Sequence, residues 1–172
     1  SFKHERPFDT PAVVSGFWPM AEELDVRPLM IELFNEGCQL CLPVVAGKRQ
    51  PLIFRAWRPG DSLEQGVFGT LHPSPRREVL EPDALIVPLL AVDRDGWRLG
   101  YGGGYFDRTL AALTASTATN TAAAPLVIAT GYELCRIPSI DPQPHDMPMD
   151  WLVTERGLYR REAGRLTFQA LP

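Results

Sequence analysis

The chain has 172 residues, of which 45% are apolar and 22% charged, the composition of a single globular domain with its own core rather than a disordered segment. Its formal charge of −4 argues against non-specific nucleic-acid binding, and no run of about 18 apolar residues offers a membrane span. Three cysteines cannot all pair within one chain, and no secretory segment opens it, so a reducing, cytoplasmic setting is expected.

Ala12 to Trp18 reads as a short apolar strand ending at Pro19. Val26, Leu29, Met30 and Leu33 then form the i, i+3, i+4, i+7 stripe of an amphipathic helix. Asp25 can cap its start, Pro28 is tolerated in its first turn, and Gly37 can end it. Leu40 to Val45 and Ile53 to Trp57 follow as strands. Cys38 and Cys41 form a C-x-x-C whose setting, Cys38-Gln-Leu-Cys41-Leu-Pro-Val-Val, reads as a strand, and residues three apart in a strand point to opposite faces, which argues core packing rather than a metal or redox pair. Residues 59–84, rich in Pro, Gly and charge, read as a long surface excursion with little regular structure.

Leu85 to Val92 is the most apolar run and predicts a central strand covered on both faces, interrupted at Pro88, which has no N–H to give a ladder. A glycine-rich loop leads into a helix with Phe106, Thr109, Leu110 and Leu113 on one face. Thr114 to Ala124 reads as an Ala/Thr/Ser linker. Leu126 to Tyr132 is a further buried strand, Arg136 to Pro148 a loop with four prolines, Trp151 to Thr154 a strand, and Leu158 to Phe168 a closing hairpin. The alternation predicts an α/β sandwich with a largely parallel sheet, in one domain spanning residues 1–172.

The informative stretch runs from Asp93 to Arg108 and contains Arg98-Leu-Gly-Tyr-Gly-Gly-Gly-Tyr-Phe-Asp107. It follows the most buried strand and opens a helix, the place where open α/β sheets bind ligands. Glycines let backbone N–H groups approach a ligand, and a helix start favours phosphate. Arg98 and Arg108 flank the loop and can clamp phosphate oxygens. It is not a P-loop, because the required lysine is absent. It is not a dinucleotide fingerprint either: Tyr105 stands at the third glycine, and residues 109–132 hold no acid for a ribose. Asp107, in the first helical turn, either complements the helix dipole or ligates magnesium beside phosphates. Asp146 offers a second carboxylate, with Asp141 and Asp150 as competitors.

These residues resemble the signature of the 5-formyltetrahydrofolate cyclo-ligases, also called methenyltetrahydrofolate synthetases. The likeness extends to Phe17-Trp-Pro-x-x-Glu-Glu23-Leu-Asp, Leu42-Pro43-Val-Val, the Phe68-Gly69…Pro73 segment and Asp146…Asp150-x-Leu-Val-Thr-Glu155, and covers roughly residues 12–156. The resemblance implies a three-layer α/β/α sandwich similar to the sugar-phosphate isomerase and CoA transferase folds. It implies ATP- and magnesium-dependent cyclisation of 5-formyltetrahydrofolate to 5,10-methenyltetrahydrofolate, with ATP as co-substrate, by a monomer or dimer.

By the same resemblance Arg98, Leu99, Gly100, Tyr101, Gly102, Gly103, Gly104, Tyr105 and Phe106 line the ATP path. Trp18, Glu23, Tyr101, Gly102, Gly103, Gly104 and Tyr105 face the folate. Tyr105 and Arg98 serve catalysis, and Asp107 and Asp146 hold the metal. From the residues alone, Trp18 reads as a core aromatic and Glu23 as a helix-start carboxylate. The family's basic N-terminal helix is not expected in this sequence: Lys3 and Arg6 are the only cations ahead of the first strand, and Pro7 prevents a long helix there. That leaves two alternatives open, a non-catalytic nucleotide or folate binder of the same fold, and an interaction module docking through the Pro-rich loops.

Overall fold

The computed structural model describes residues 9, 12–20, 22–119 and 123–169. In chain order it contains β1 (Val13–Ser15), α1 (Arg27–Asn35), β2 (Gln39–Val45), β3 (Leu52–Ala56), β4 (Leu63–Gln65), β5 (Leu71–Pro73) and β6 (Val79–Leu80). There follow β7 (Ala84–Pro88), β8 (Ala91–Asp93), β9 (Arg98–Leu99), α2 (Tyr105–Thr119), β10 (Leu126–Thr130), β11 (Arg136–Ile137), β12 (Trp151–Thr154), β13 (Gly157–Glu162) and β14 (Arg165–Gln169). The expectation about the residues ahead of the first strand falls almost wholly outside the described residues.

Nine strands form the main sheet in the order β14-β13-β12-β10-β7-β1-β2-β3-β6. The sheet is mixed rather than largely parallel. Its centre, β12-β10-β7-β1-β2, is parallel, whereas both flanks are antiparallel. In the flanks β2-β3 and β12-β13-β14 are chain-adjacent strands that close as hairpins, whereas β6 returns to the edge beside β3 after the excursion through β4 and β5.

Successive side chains of β7 serve different cores, as a strand's period of two requires. Leu85 and Val87 join a cluster with Leu110, to which Phe106 and Leu113 of α2 add. Ala84 and Ile86 join a cluster with Met30 and Leu33 of α1. Each helix therefore covers one face of the sheet with the stripe read from its sequence. Cys41 lies in the first cluster and Cys38 in the second, so the C-x-x-C is core on both sides.

Several elements differ from expectation. The apolar run 85–92 is two strands, because the chain leaves the main sheet after Pro88 and β8 joins a small sheet with β9 and β11. Proline ends the ladder that it cannot feed. Residues 59–84 are more regular than their composition suggests: β4 and β5 pair as a ribbon, and β6 extends the sheet edge beside β3. Of the stretch expected as a linker, Thr114 to Thr119 continues α2, while residues 120–122 lie outside the described residues. The first strand and β10 are shorter than read, and β11 interrupts the loop after Ile128's strand. The residue at the N-cap of α1 is Val26, and Asp25, one position earlier, takes the Arg27 N–H at 3.0 Å. No helix among the described residues is long and apolar enough to cross a membrane.

Candidate active site

Arg98 and the glycine loop meet the carboxyl end of the parallel strand β7, the kind of place where ligands of open α/β sheets bind. Arg98 anchors the arrangement. Its side chain is 4% exposed, its Nη1 donates to the carbonyl of Pro88 at the end of β7, and its Nη2 donates to Oδ2 of Asp107, both at 3.4 Å. The guanidinium also lies 5.5 Å from the ring centre of Phe106. Burial lowers the Arg98 pKa, and the charges of Asp107 and Asp146 oppose that shift. An arginine nonetheless stays protonated in any folded setting. The structure thus sets Asp107 against a buried cation whose charge Asp146 also feels.

Asp107 reaches this place because α2 begins at Tyr105. Thr109 fixes that helix to the sheet: its hydroxyl donates to the Tyr105 carbonyl at 2.6 Å and accepts the Leu52 N–H at 2.8 Å. The loop before α2 needs its glycines for two reasons. Gly104 has φ +61, and a Cβ on Gly100 would lie 2.6 Å from Nη1 of Arg98. Arg108 folds back over the loop, donating from Nη2 to the Gly103 carbonyl at 2.6 Å, 5.1 Å from the Tyr105 ring centre. The Nε–H groups of Arg98 and Arg108 are both buried, and neither finds an acceptor among the described residues. Two cationic side chains flanking a glycine loop that opens a helix suit an anion bound at that loop.

Asp146 is held by its own loop. Its Oδ2 accepts the Gln143 N–H at 2.7 Å, and its Oδ1 lies 3.7 Å from Nε2 of His145. Its competitor Asp150 is occupied elsewhere, accepting the Val127 N–H at 2.8 Å near the entrance of β10. Asp107 and Asp146 supply hard oxygen donors, which suits magnesium; a cation that keeps its waters and takes phosphate oxygens needs only one or two carboxylates. No group of three metal-binding side chains occurs among the described residues.

The second half of the site joins the loop after β1 to the glycine loop. Burial raises the pKa of Glu23, against the opposing pull of the Met20 N–H, which donates to its Oε2 at 2.8 Å, and of the Tyr101 hydroxyl. Tyr101 is 58% exposed, and burial of its hydroxyl and the facing Glu23 carboxylate raise its pKa. Trp18 is turned toward α1: it packs edge-on to Trp57 at 5.9 Å, with Arg27 5.4 Å from its ring centre.

Residues 3–155 match the sequence profile of the 5-formyltetrahydrofolate cyclo-ligase family. The chain belongs to that family of enzymes. A 5-formyltetrahydrofolate cyclo-ligase of Mycolicibacterium smegmatis is 34% identical over 154 residues, spanning 84% of this chain and 75% of the relative. Its counterpart in Escherichia coli K12 is 38% identical over 105 residues, 56% of either protein. The NMR structure of the Aquifex aeolicus 5,10-methenyltetrahydrofolate synthetase superimposes with a TM-score of 0.73 at 28% identity, covering 98% of this chain and 81% of that one. A Mycoplasma pneumoniae 5,10-methenyltetrahydrofolate synthetase, at 19% identity and a TM-score of 0.61, shares the fold.

One group in this cyclo-ligase-family chain escaped the sequence reading. Beyond the carboxyl end of β10, the Glu133 carboxylate accepts bonds from Arg136 at 2.8 Å, Thr154 at 3.0 Å and Tyr159 at 3.0 Å. This knot fixes the segment carrying Tyr132 and Cys135, and Cys135 is close enough to Tyr101 to affect its ionisation. The signal was available: Tyr132-Glu133 directly follows a buried strand, at the edge where ligands bind.

Proposed function

We propose that this protein closes 5-formyltetrahydrofolate to 5,10-methenyltetrahydrofolate at the expense of ATP, releasing ADP and phosphate. The glycine loop flanked by Arg98 and Arg108, which opens α2 with Asp107 set 3.4 Å from the buried Arg98 guanidinium, is the observation that supports this reading. Family membership supplies the folate chemistry. The architecture is read as a three-layer α/β/α sandwich akin to the sugar-phosphate isomerases and CoA transferases, and the protein as a cytoplasmic monomer or dimer without nucleic-acid or membrane partners.

The formamide oxygen is a poor leaving group. Transfer of the γ-phosphoryl of ATP to it forms an O–P bond, breaks the bond to ADP and leaves an electrophilic carbon. N10 of the folate attacks that carbon and loses its proton, and phosphate departs as the C–O bond breaks. Such transfer depends on positioning and charge neutralisation rather than a protein nucleophile. Arg98, Arg108 and the free N–H groups at the start of α2 bind the phosphates. Leu99, Tyr101 and Gly100 to Gly104 shape the cradle, with Tyr105 and Phe106 closing it. Tyr105 orients the formyl group. Glu23 binds the pterin edge, and Trp18 or Tyr101 stacks on its face. Asp107 and Asp146 would hold magnesium, which when bound neutralises charge on the transferring phosphoryl group.

The test is direct. The full-length protein is incubated with 5-formyltetrahydrofolate, ATP and magnesium, and methenyltetrahydrofolate is followed by its near-ultraviolet absorbance. Absorbance growth dependent on both ATP and magnesium is expected. Binding of both substrates without product would leave a ligand-binding homologue instead.

A further inference from the structure

Asp93 closes β8 and is 1% exposed. Its two oxygens serve different pieces of chain. Oδ1 accepts the N–H of Asp95 at 2.9 Å and that of Trp97 at 3.0 Å, which locks the turn leading into Arg98. Oδ2 accepts the N–H of Ile140 at 2.9 Å, 47 residues away. The segment entered at Ile140 is fastened to the same turn at its far end, where the Met149 N–H donates to the Gly96 carbonyl at 2.8 Å. Asp146 lies between these two fastenings. A buried carboxylate is costly unless several donors surround it, and among the described residues this one has three backbone donors and no ion-pair partner.

We propose that Asp93 is a positioning residue that sets the separation of Arg98 and Asp146, one carboxylate oxygen holding the turn before Arg98 and the other holding the segment that carries Asp146. Its link to catalysis rests on the function proposed above; its structural coupling does not. Carboxylates that orient a metal site from behind typically change metal affinity 10–100-fold when altered.

Asp93→Asn separates the two oxygens. With its single carbonyl oxygen on the Asp95 and Trp97 N–H groups, the amide NH2 faces the Ile140 N–H, which loses its acceptor. Hydrogen exchange at Ile140 is expected to accelerate about tenfold or more, with the β7 and β10 amides unchanged. In the cyclisation assay the magnesium concentration for half-maximal rate should rise about tenfold, with the folate KM within about twofold. Ile140→Pro removes the donor while leaving Asp93 intact, and should reproduce the magnesium shift if Asp93→Asn fails to fold. Unchanged Ile140 protection, or protection lost uniformly across β7 and β10, overturns the proposal. A wild-type protein that turns over without magnesium defeats the metal reading alone; the exchange pattern still decides the coupling.

Discussion

Nη2 of Arg98 lies 3.4 Å from Oδ2 of Asp107, the two side chains being 4% and 15% exposed. This pair changes what a substitution at Asp107 costs. A helix-dipole role alone would contribute about 0.3–1 kcal/mol. Because Asp107 also answers a buried guanidinium, Asp107→Asn is expected to cost about 1–3 kcal/mol, with Asp146 left to compensate in part. The melting temperature should fall by about 2–4 °C per kcal/mol in a chain of this size. Turnover should fall at least about a hundredfold, and excess magnesium should restore part of it. A variant with wild-type kinetics would remove the metal assignment.

Arg98→Lys keeps the charge and loses the planar fork. A lysine cannot serve the Pro88 carbonyl, Asp107 and a phosphate with the same geometry. The KM for ATP is expected to rise about 10- to 100-fold, equivalent to about 1–3 kcal/mol, while the folate KM changes little. Steady-state titrations of each substrate check this; an equal rise in both constants would point to general loss of structure at the loop.

Glu133 makes acid stability testable. Burial alone would raise its pKa, but hydrogen bonds from Arg136, Thr154 and Tyr159 outweigh burial and hold it below the ordinary value of 4.5. A carboxyl lowered on folding stabilises the fold above its unfolded pKa and loses that contribution as pH falls through the folded value. Stability should therefore drop as pH falls from just above 4.5 into the range below it. Glu133→Gln should flatten this part of a denaturant-midpoint profile. An unaltered acid limb would show that the knot is not coupled to unfolding.

The cysteines should differ in reactivity. Burial pushes the Cys41 thiol up to about 12, so it holds almost no thiolate near pH 8, and Cys38 is also buried. Cys135 is partly exposed. Iodoacetamide at pH 8 should label Cys135 in the native protein and the other two only after unfolding, as peptide mass mapping would show.

Local chemistry alone determined much of this protein. The stripe of α1, the extended run into β2 that sends Cys38 and Cys41 to different cores, and the loop from Arg98 to Asp107 were legible because each depends on neighbours within about ten residues. The loop's glycines also announce a close backbone approach before any ligand is considered. Composition misled where context decides: the Pro- and Gly-rich stretch 59–84 finds strand partners in β3 and within its own ribbon, and Pro88 divides one apolar run between two sheets. Only the tertiary structure tied Asp150 to the Val127 N–H, set Asp107 against Arg98, and assembled Glu133 with Arg136, Thr154 and Tyr159. Those choices depend on groups brought together from separate strands and loops, and a carboxylate's role is set by which donors surround it after folding rather than by its neighbours in sequence.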